Sequence, residues 1–515
     1  MPIISSYVRE DWYYSVDTLK TQFLFVKEQY ETEEAAENDF RLFIKDLLSR
    51  NVLKARKANA IENGADIEFD NYTDDDLIYT GNKYKFAFVG IIICRGRIIY
   101  SYPKYIGKPN ELPAANPVNE MARVIRVIEK YSKEKSRQDV RDIDLFVDED
   151  DNGRVNTLSV MLFLLEDYAA NGIYENDETI IEINGNGGIL WQKTVDETYP
   201  FIKNNRPYYI ELYTNRDVSD ENDYFKRLHE YVVTRCSREI ENAGLTSFFN
   251  LPIAEISDDE EGSFGDSEYI VTLLEAAIAV TYDDRKLSVL KAMKLYFNST
   301  KILVGDTELQ LIGTRSFNLI WEEVCAKVYS SQKGDSRTGH PNVNEIEPKI
   351  DYSLINKAFD KQRPPTLVEL IQQPIWKRYD KASKGVPKDT LNPDYLRFEK
   401  RKTGNDYIFY ILDAKYYCPI WTNDSIHGQP GVEDVAKQYL YYLAYKDILK
   451  KYNVREVKNY FLMPKRKDDA EFPGYVKMDI LKDLGLGVVE VRMLDPDFLY
   501  ENYLNNVRLE LSGLH

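Results

Sequence analysis

Asp413-Ala414-Lys415 closes a markedly apolar run of this 515-residue chain, Tyr407-Ile408-Phe409-Tyr410-Ile411-Leu412. Residues two apart on a strand share a face, so Phe409, Ile411, Asp413 and Lys415 point one way and Ile408, Tyr410 and Leu412 the other. Both faces begin apolar, as suits a strand buried on both sides, and charge arrives on one face only at the end. A second strand-like segment, Tyr395–Arg401, follows Asp394, and Lys402-Thr403-Gly404-Asn405 between the two is a turn signal. With the turn centred between Thr403 and Gly404, Asp394 falls directly opposite Asp413, Cβ atoms about 5 Å apart. Carboxylates that close repel, and one is pushed toward protonation unless a cation intervenes. Mg²⁺ takes few carboxylates and completes its shell with waters and substrate phosphate. Lys415 points to the same place, where it could hold a water or hydroxide or steady a phosphate oxygen. A Lewis acid, a nucleophile made at neutral pH and positive charge for a pentavalent transition state are what phosphodiester hydrolysis needs.

The triplet alone is weak. Asp284-Arg285-Lys286, Glu347-Pro348-Lys349 and Glu456-Val457-Lys458 share its pattern, and Asp413 and Lys415 could simply mark where a strand leaves the core. The context separates it from the others: Pro393-Asp394 ahead of the first strand, a register that pairs the acids, and an apolar strand leading to them. A helix over Val432–Lys451 follows Pro430-Gly431, with Glu433 and Asp434 suited to its positive N-terminal end. Gln438 and Tyr442 are four apart, hence on one face.

The rest of the chain must position this hairpin. Helical spacing marks Glu33–Arg50, Glu120–Glu134, Thr157–Ala170, Ser219–Ala243 with Ser219 as N-cap, Ser267–Phe297, Thr314–Ser330 and Asp497–Leu504. Residues 1–60 read as mainly helical. Strands are expected at Tyr84–Ile93, Arg97–Tyr102, Val457–Pro464, Gly474–Leu481 and Val488–Leu494, with strand and loop over Glu182–Thr214. These elements give an α+β or α/β fold with mixed strand pairing. They divide into an N-terminal α/β region, 1–300, with a subdivision near 60–110, and a C-terminal domain, 301–515. Two segments imitate ligand loops. Asp148–Gly153 starts like a calcium-binding EF-hand loop, but the bidentate Glu of its twelfth position is Ser159 here. Asn184-Gly185-Asn186-Gly187-Gly188 is Gly-rich, but no helix with a Gly-Lys-Ser/Thr end follows, so a turn between strands is expected and no Walker or Rossmann motif is present.

The net charge of −18 argues against a protein that coats nucleic acid non-specifically. The charge is uneven: Lys377, Arg378, Lys381, Lys384, Lys388, Arg397, Lys400, Arg401 and Lys402 gather ahead of and within the hairpin, either as a phosphate-contacting surface or as a solvated basic loop. Four scattered cysteines, Cys94, Cys236, Cys325 and Cys418, without a paired spacing, fit a reducing cytoplasm. The N-terminus lacks the layout of a signal peptide, and no apolar run approaches the roughly 20 residues of a membrane span.

Pro393-Asp394, Asp413-Ala414-Lys415 and Gln438-Tyr439-Leu440-Tyr441-Tyr442 together resemble the motifs of the PD-(D/E)xK nuclease superfamily. The resemblance implies an αβββαβ core over residues about 310–465 and a metal held by Asp394, Asp413 and the Ala414 carbonyl. Phe317-Asn318-Leu319-Ile320-Trp321-Glu322 resembles the Trp-Glu helix of McrC-like and LlaJI-like nucleases, which brings Glu322, rather than Glu323, to the site. Phe86–Ile91, Tyr102-Pro103-Lys104-Tyr105 and Gly188–Thr194 resemble segments of the LlaJI restriction endonucleases. What the resemblance implies is an endonuclease subunit of a prokaryotic restriction system, dependent on Mg²⁺ with Mn²⁺ as substitute. It would act on double-stranded DNA beside a separate McrB-like GTPase or other NTPase, with a homodimer as one candidate assembly, Lys415 assisting the attacking water and Gln438 and Tyr442 supporting the site. The N-terminal region would recognise DNA or dock partners. Two rivals stay open: a catalytically silent DNA-binding or assembly subunit, and a nuclease acting on RNA or repair intermediates.

Overall fold

In the computed structural model the described residues are 4–26, 29–56, 82–107, 118–139, 156–175, 177–219, 223–249, 251–299, 309–329, 342–343, 346–351, 364–377, 379, 384–385, 390–401 and 406–514. Contacts divide the chain into two compact units, one joining 2–138 to 312–515, the other holding 139–311. The sequence-based halves, 1–300 and 301–515, come close at the later cut but separate residues 2–138 from the segment they pack with. Lys130 Nζ donates to Tyr503 O at 2.6 Å and Arg315 Nη1 to Arg50 O at 3.1 Å. Composition shifts report local change and carry no trace of such long-range returns.

The first segment holds β1 (Ile4–Arg9), β2 (Tyr13–Ser15), α1 (Val16–Gln22), α2 (Glu33–Ser49), β3 (Leu53–Arg56), β4 (Lys83–Phe86), β5 (Val89–Cys94), β6 (Arg97–Tyr102) and α3 (Val118–Asp139). It is therefore less helical at its start than its composition suggests. β2, β4 and β3 form one antiparallel sheet; β1 pairs parallel with β6, and β6 antiparallel with β5. Gly90 in β5 is required by a close approach. Its φ is 142°, and a Cβ there would lie 2.0 Å from Ile312 O.

The 139–311 unit holds α4 (Thr157–Asn171), β7 (Asp177–Ile183), β8 (Gly188–Ile189), α5 (Trp191–Glu197), β9 (Phe201–Lys203), β10 (Arg206–Tyr208), β11 (Tyr213–Ser219), α6 (Tyr224–Asn242), α7 (Thr246–Phe249), α8 (Ser267–Val280), α9 (Asp284–Asn298) and the start of β12 (Gln310–Thr314). Asp223, not Ser219, caps α6, its side chain accepting from Phe225 N, because Ser219 is still paired in β11. The helix expected over Ser267–Phe297 is two, and Asp283 caps the second. The Gly-rich Asn184–Gly188 is a turn between β7 and β8. Its Gly187 lies so close to β11 that a Cβ would stand 1.9 Å from Asn215 O, so the glycine serves packing. Asp148–Gly153 lies outside the described residues.

The remaining segment holds α10 (Phe317–Tyr329), β13 (Trp376–Lys377), β14 (Lys384–Gly385), β15 (Tyr395–Lys400), β16 (Tyr407–Ala414), β17 (Ile420–Trp421), β18 (Ile426–His427), α11 (Val432–Lys451), β19 (Val454–Pro464), β20 (Gly474–Val476), β21 (Val489–Leu494) and α12 (Pro496–Leu504). The main sheet runs β15-β16-β19-β21-β20. β15 and β16 are antiparallel, β16 parallel to β19, and β19 parallel to β21. The fold is mixed α+β. Relative to an αβββαβ order, α10, β15, β16, α11 and β19 follow one another as expected, while no third strand of this sheet precedes β15 among the described residues.

α11 covers the sheet face that carries Phe409 and Ile411. Tyr441, Tyr445 and Leu449 pack there with Leu396 and Phe398, and Tyr439 and Val435 pack beside them on Phe461 and Met463. Each fully buried large side chain of this kind contributes about 1.5–3 kcal/mol. Glu433 and Asp434 in the first turn of α11 and Lys450 and Lys451 in its last complement the helix dipole.

Candidate active site

The β15–β16 register pairs Tyr395 with Leu412 and Lys400 with Tyr407. Continued by one step, it sets Asp394 against Asp413. Asp394 lies just outside the ladder, and its Oδ2 accepts from Ala414 N at 2.8 Å, which ties the two strand ends together. Asp413 is 2% exposed, beneath α11. Burial pushes its pKa up to about 7, with Asp394 beside it adding to the rise and Lys415 opposing it. Asp394 is also raised, again chiefly by burial, then by Glu322, against the pull of Lys415. Lys415 Nζ lies 2.8 Å from Asp413 Oδ2 and 3.6 Å from Asp434 Oδ1. Burial alone would lower its pKa, but Asp413, Asp394 and Asp434 outweigh burial and hold it above the ordinary lysine value.

Backbone anchors fix where Lys415 leaves the sheet. Ala414 pairs with Leu462 of β19. The Leu462 carbonyl accepts twice, from Lys415 N at 2.9 Å and from the buried indole Nε1 of Trp321 at 3.0 Å. Trp321 so docks α10 against the sheet, and the next residue, Glu322, is raised by burial, lowered by Lys415 and raised by Asp413. Glu323 instead pairs with Lys327 at 3.5 Å, so Glu322 is the α10 acid within electrostatic reach of the strand end.

Gln438 is fully buried, and neither Nε2 nor Oε1 has a hydrogen-bond partner among the described residues; Asn459 Nδ2 donates to its backbone carbonyl at 3.2 Å. Tyr442 packs half-buried against the apolar cluster under α11. The phenol that reaches the acids is Tyr441. It is buried, its OH donates to Asn392 O at 3.1 Å, and burial and then Asp413 and Asp394 raise its pKa. Asp434 and Tyr441 thus join the site although motif spacing does not single them out. Asp434 to Gln438 to Tyr441 is a four-plus-three spacing, as helical as Gln438 to Tyr442, and that periodicity was the available signal.

The structure describes only part of the basic run. Lys377 is exposed on β13 and Lys400 at the end of β15, and Arg397 is half-buried. Arg401 is spent within the fold, on Asp406 at 3.4 Å and on Glu456. Lys384 is described only as backbone in β14, and Arg378, Lys381, Lys388 and Lys402 lie outside the described residues.

Among the described residues no three His, Cys, Asp or Glu side chains converge as a ready-made cation cage, so Asp394, Asp413 and Glu322 do not form one. The buried Asp413 carboxylate and the half-buried Asp394 beside it still fit a hard cation that draws the rest of its shell from water and phosphate, and such a cation would lower both raised pKa values. Among the described residues no helix is long and apolar enough to cross a membrane.

The chain is 29% identical over 433 residues to the type II restriction enzyme BsuMI component YdjA of Bacillus subtilis (strain 168), covering 83% of each protein. Two structures of McrBC assemblies from Thermococcus gammatolerans also align. The half-complex of McrB AAA+ hexamers with bound McrC does so at 11% identity and a TM-score of 0.36, over 99% of this chain and all of that one. The McrBC complex does so at 12% identity and 0.22, over 64% and 89%. Scores of this size do not establish a shared fold. The sequence profile of the LlaJI restriction endonucleases matches residues 88–365 and 353–495, which together span most of the chain, Gly90, Glu322, Asp394, Asp413 and Lys415 included. The chain belongs to the LlaJI restriction endonuclease family.

Proposed function

We propose that this chain is the DNA-cleaving component of a prokaryotic restriction system and hydrolyses phosphodiester bonds of double-stranded DNA with Mg²⁺, for which Mn²⁺ can substitute. The observation that carries the reading is the meeting of Asp394, Asp413 and Lys415 at one buried strand end. Asp394, Asp413 and the Ala414 carbonyl would hold the cation, with Glu322 orienting its water shell. When bound, the cation supplies a Lewis acid and a hydroxide at neutral pH. In the metal-free chain Lys415 is held above its ordinary pKa by the acids around it. Its work is electrostatic: it aims the attacking oxygen and neutralises a non-bridging phosphate oxygen as charge develops. Water oxygen bonds to phosphorus and gives up a proton to solvent, while the P–O bond to the leaving sugar oxygen breaks and that oxygen takes a proton from solvent to become a hydroxyl. Gln438 supports the site from α11, and the exposed Lys377 and Lys400 contact DNA phosphates, with their basic neighbours in sequence.

A relative described as one component of a restriction enzyme supports the reading that other subunits accompany this chain. We include among them a separate McrB-like NTPase, on the strength of the Trp321-Glu322 helix, and leave a homodimer as the alternative assembly. The N-terminal region, residues 1–300, would recognise DNA or dock partners. The test is cleavage of linear and plasmid DNA by the full chain with its system's other components, with Mg²⁺ or chelator. Cutting that requires the cation and disappears with Lys415→Ala supports the reading. Equal cutting by parent and Lys415→Ala overturns it, and binding without cutting by the complete system points to a silent assembly subunit.

A further inference from the structure

Asp394 precedes β15, whose ladder begins at Tyr395, so sheet pairing does not hold its backbone. Two contacts do. Its own carboxylate accepts from Ala414 N, and two residues earlier Asn392 O accepts from the Tyr441 hydroxyl at 3.1 Å. Lys415 has a comparable weakness. Its flexible four-carbon stem could swing the ammonium around Asp413 while keeping that contact. A second carboxylate, Asp434 at 3.6 Å, restricts the swing. Asp434, Gln438 and Tyr441 stand on one face of α11.

The helix that carries this face is itself pinned along its length. Tyr445 OH donates to Leu367 O at 2.7 Å, Asn459 Nδ2 to Gln438 O at 3.2 Å, and Met478 N to Tyr439 OH at 3.3 Å. We infer that this face of α11 is a positioning template, in which Asp434 orients the Lys415 ammonium and Tyr441 fixes the Asn392–Asp394 backbone. One rigid helix then sets the separation between the lysine and the first carboxylate. Both are positioning residues, acting through Lys415 and Asp394, and the inference rests on the reading that those two groups take part in DNA cleavage. The assignment gives the phenol's role to Tyr441 and leaves Tyr442 in the apolar cluster.

Two measurements test it, both on the full chain with thermal melts to verify folding. The first needs neither cation nor DNA: hydrogen exchange of the metal-free chain. Tyr441→Phe should raise exchange in peptides covering 391–396 and leave those covering 454–464 unchanged. Unchanged exchange over 391–396 overturns the role of Tyr441. The second is cleavage kinetics in the complete system. Asp434→Asn and Tyr441→Phe should each lower kcat roughly 10- to 100-fold, as loss of a residue that orients a site group does. KM for DNA should stay near the parent value, and Asp434→Glu should restore part of the loss. A Tyr442→Phe loss larger than that of Tyr441→Phe, or equal losses in Asp434→Asn and Asp434→Glu, overturns the template. The two readings fail separately. Lys415→Ala cutting at the parent rate defeats the proposed function. A dead Lys415→Ala beside fully active Asp434→Asn and Tyr441→Phe defeats the template alone.

Discussion

β15 and β16 bury Leu396, Phe398, Phe409 and Ile411 in one cluster, whereas β9 and β10 of the 139–311 unit leave Phe201 and Ile202 61% exposed and Tyr208 51% exposed. Both hairpins are rich in aromatic and branched residues. The first belongs to a five-stranded sheet and lies under α11. The second is a two-stranded sheet with three residues per strand, too small to bury a face of its own. Apolar composition therefore proposes a strand but does not decide its burial; the number of layers stacked on it does. The difference matters for chemistry as well. A strand covered on its faces delivers the Asp413 carboxylate into a site dry enough to raise its pKa.

The sharpest expected contrast is functional. Lys415→Ala should lower DNA cleavage by roughly 10²–10³-fold while moving the melting temperature little, because the lysine is a site group at the edge of the core. Steady-state cleavage beside a thermal melt checks both halves. Two tryptophans then test burial directly. Trp321 is fully buried and hydrogen-bonded to Leu462 O, so Trp321→Ala should cost about 3–5 kcal/mol in urea unfolding. A value under about 1 kcal/mol would break the comparison, since surface substitutions usually stay within about 0.5 kcal/mol.

A subtler effect concerns pH. The Asp413 pKa is raised to about 7 in the folded chain from an unfolded value near 3.8. The folded state then holds a proton that the unfolded state has released. This contribution to stability is complete below about pH 4 and is lost as pH rises through 7. In chelator, unfolding free energy should fall between pH 5 and 8 by on the order of 1–3 kcal/mol. Asp413→Asn should flatten that slope, leaving the share due to Glu10, which burial also raises to about 7. Mg²⁺ should stabilise the parent more at pH 8 than at pH 5, where protons compete for the carboxylates. The smallest effect is expected at the other tryptophan. Trp191 is 57% exposed, and Trp191→Ala should change stability by no more than about 0.5 kcal/mol.

Much of the candidate site was legible because short-range rules set it. A turn expected between the two strand-like segments predicts which residues face each other, and β15 and β16 have that register. Helical periodicity and end charges marked α11 over Val432–Lys451. The limits were equally physical. Periodicity alone does not choose between Tyr441 and Tyr442, because residues three and four apart both neighbour Gln438; the helix's rotation on the sheet decides. Asp434 read as a dipole-complementing acid, and only the folded chain brings it to Lys415. Within the basic run, Arg401 is ion-paired with Asp406 and Glu456, contacts between residues distant in sequence or across the turn. The attachment of residues 2–138 to the C-terminal segment left no local mark at all.

That attachment also bears on how the molecule forms. Residues 138 and 312 belong to the same unit with the whole 139–311 segment between them. Completing that unit means closing a very long loop, and such non-local pairing slows folding. The entropic cost grows only logarithmically, so halving or doubling the intervening segment would alter it by about 0.6 kcal/mol. The inserted unit can therefore differ greatly in length between relatives, or be exchanged by an engineer, with little thermodynamic cost to the sheet that carries Asp413 and Lys415.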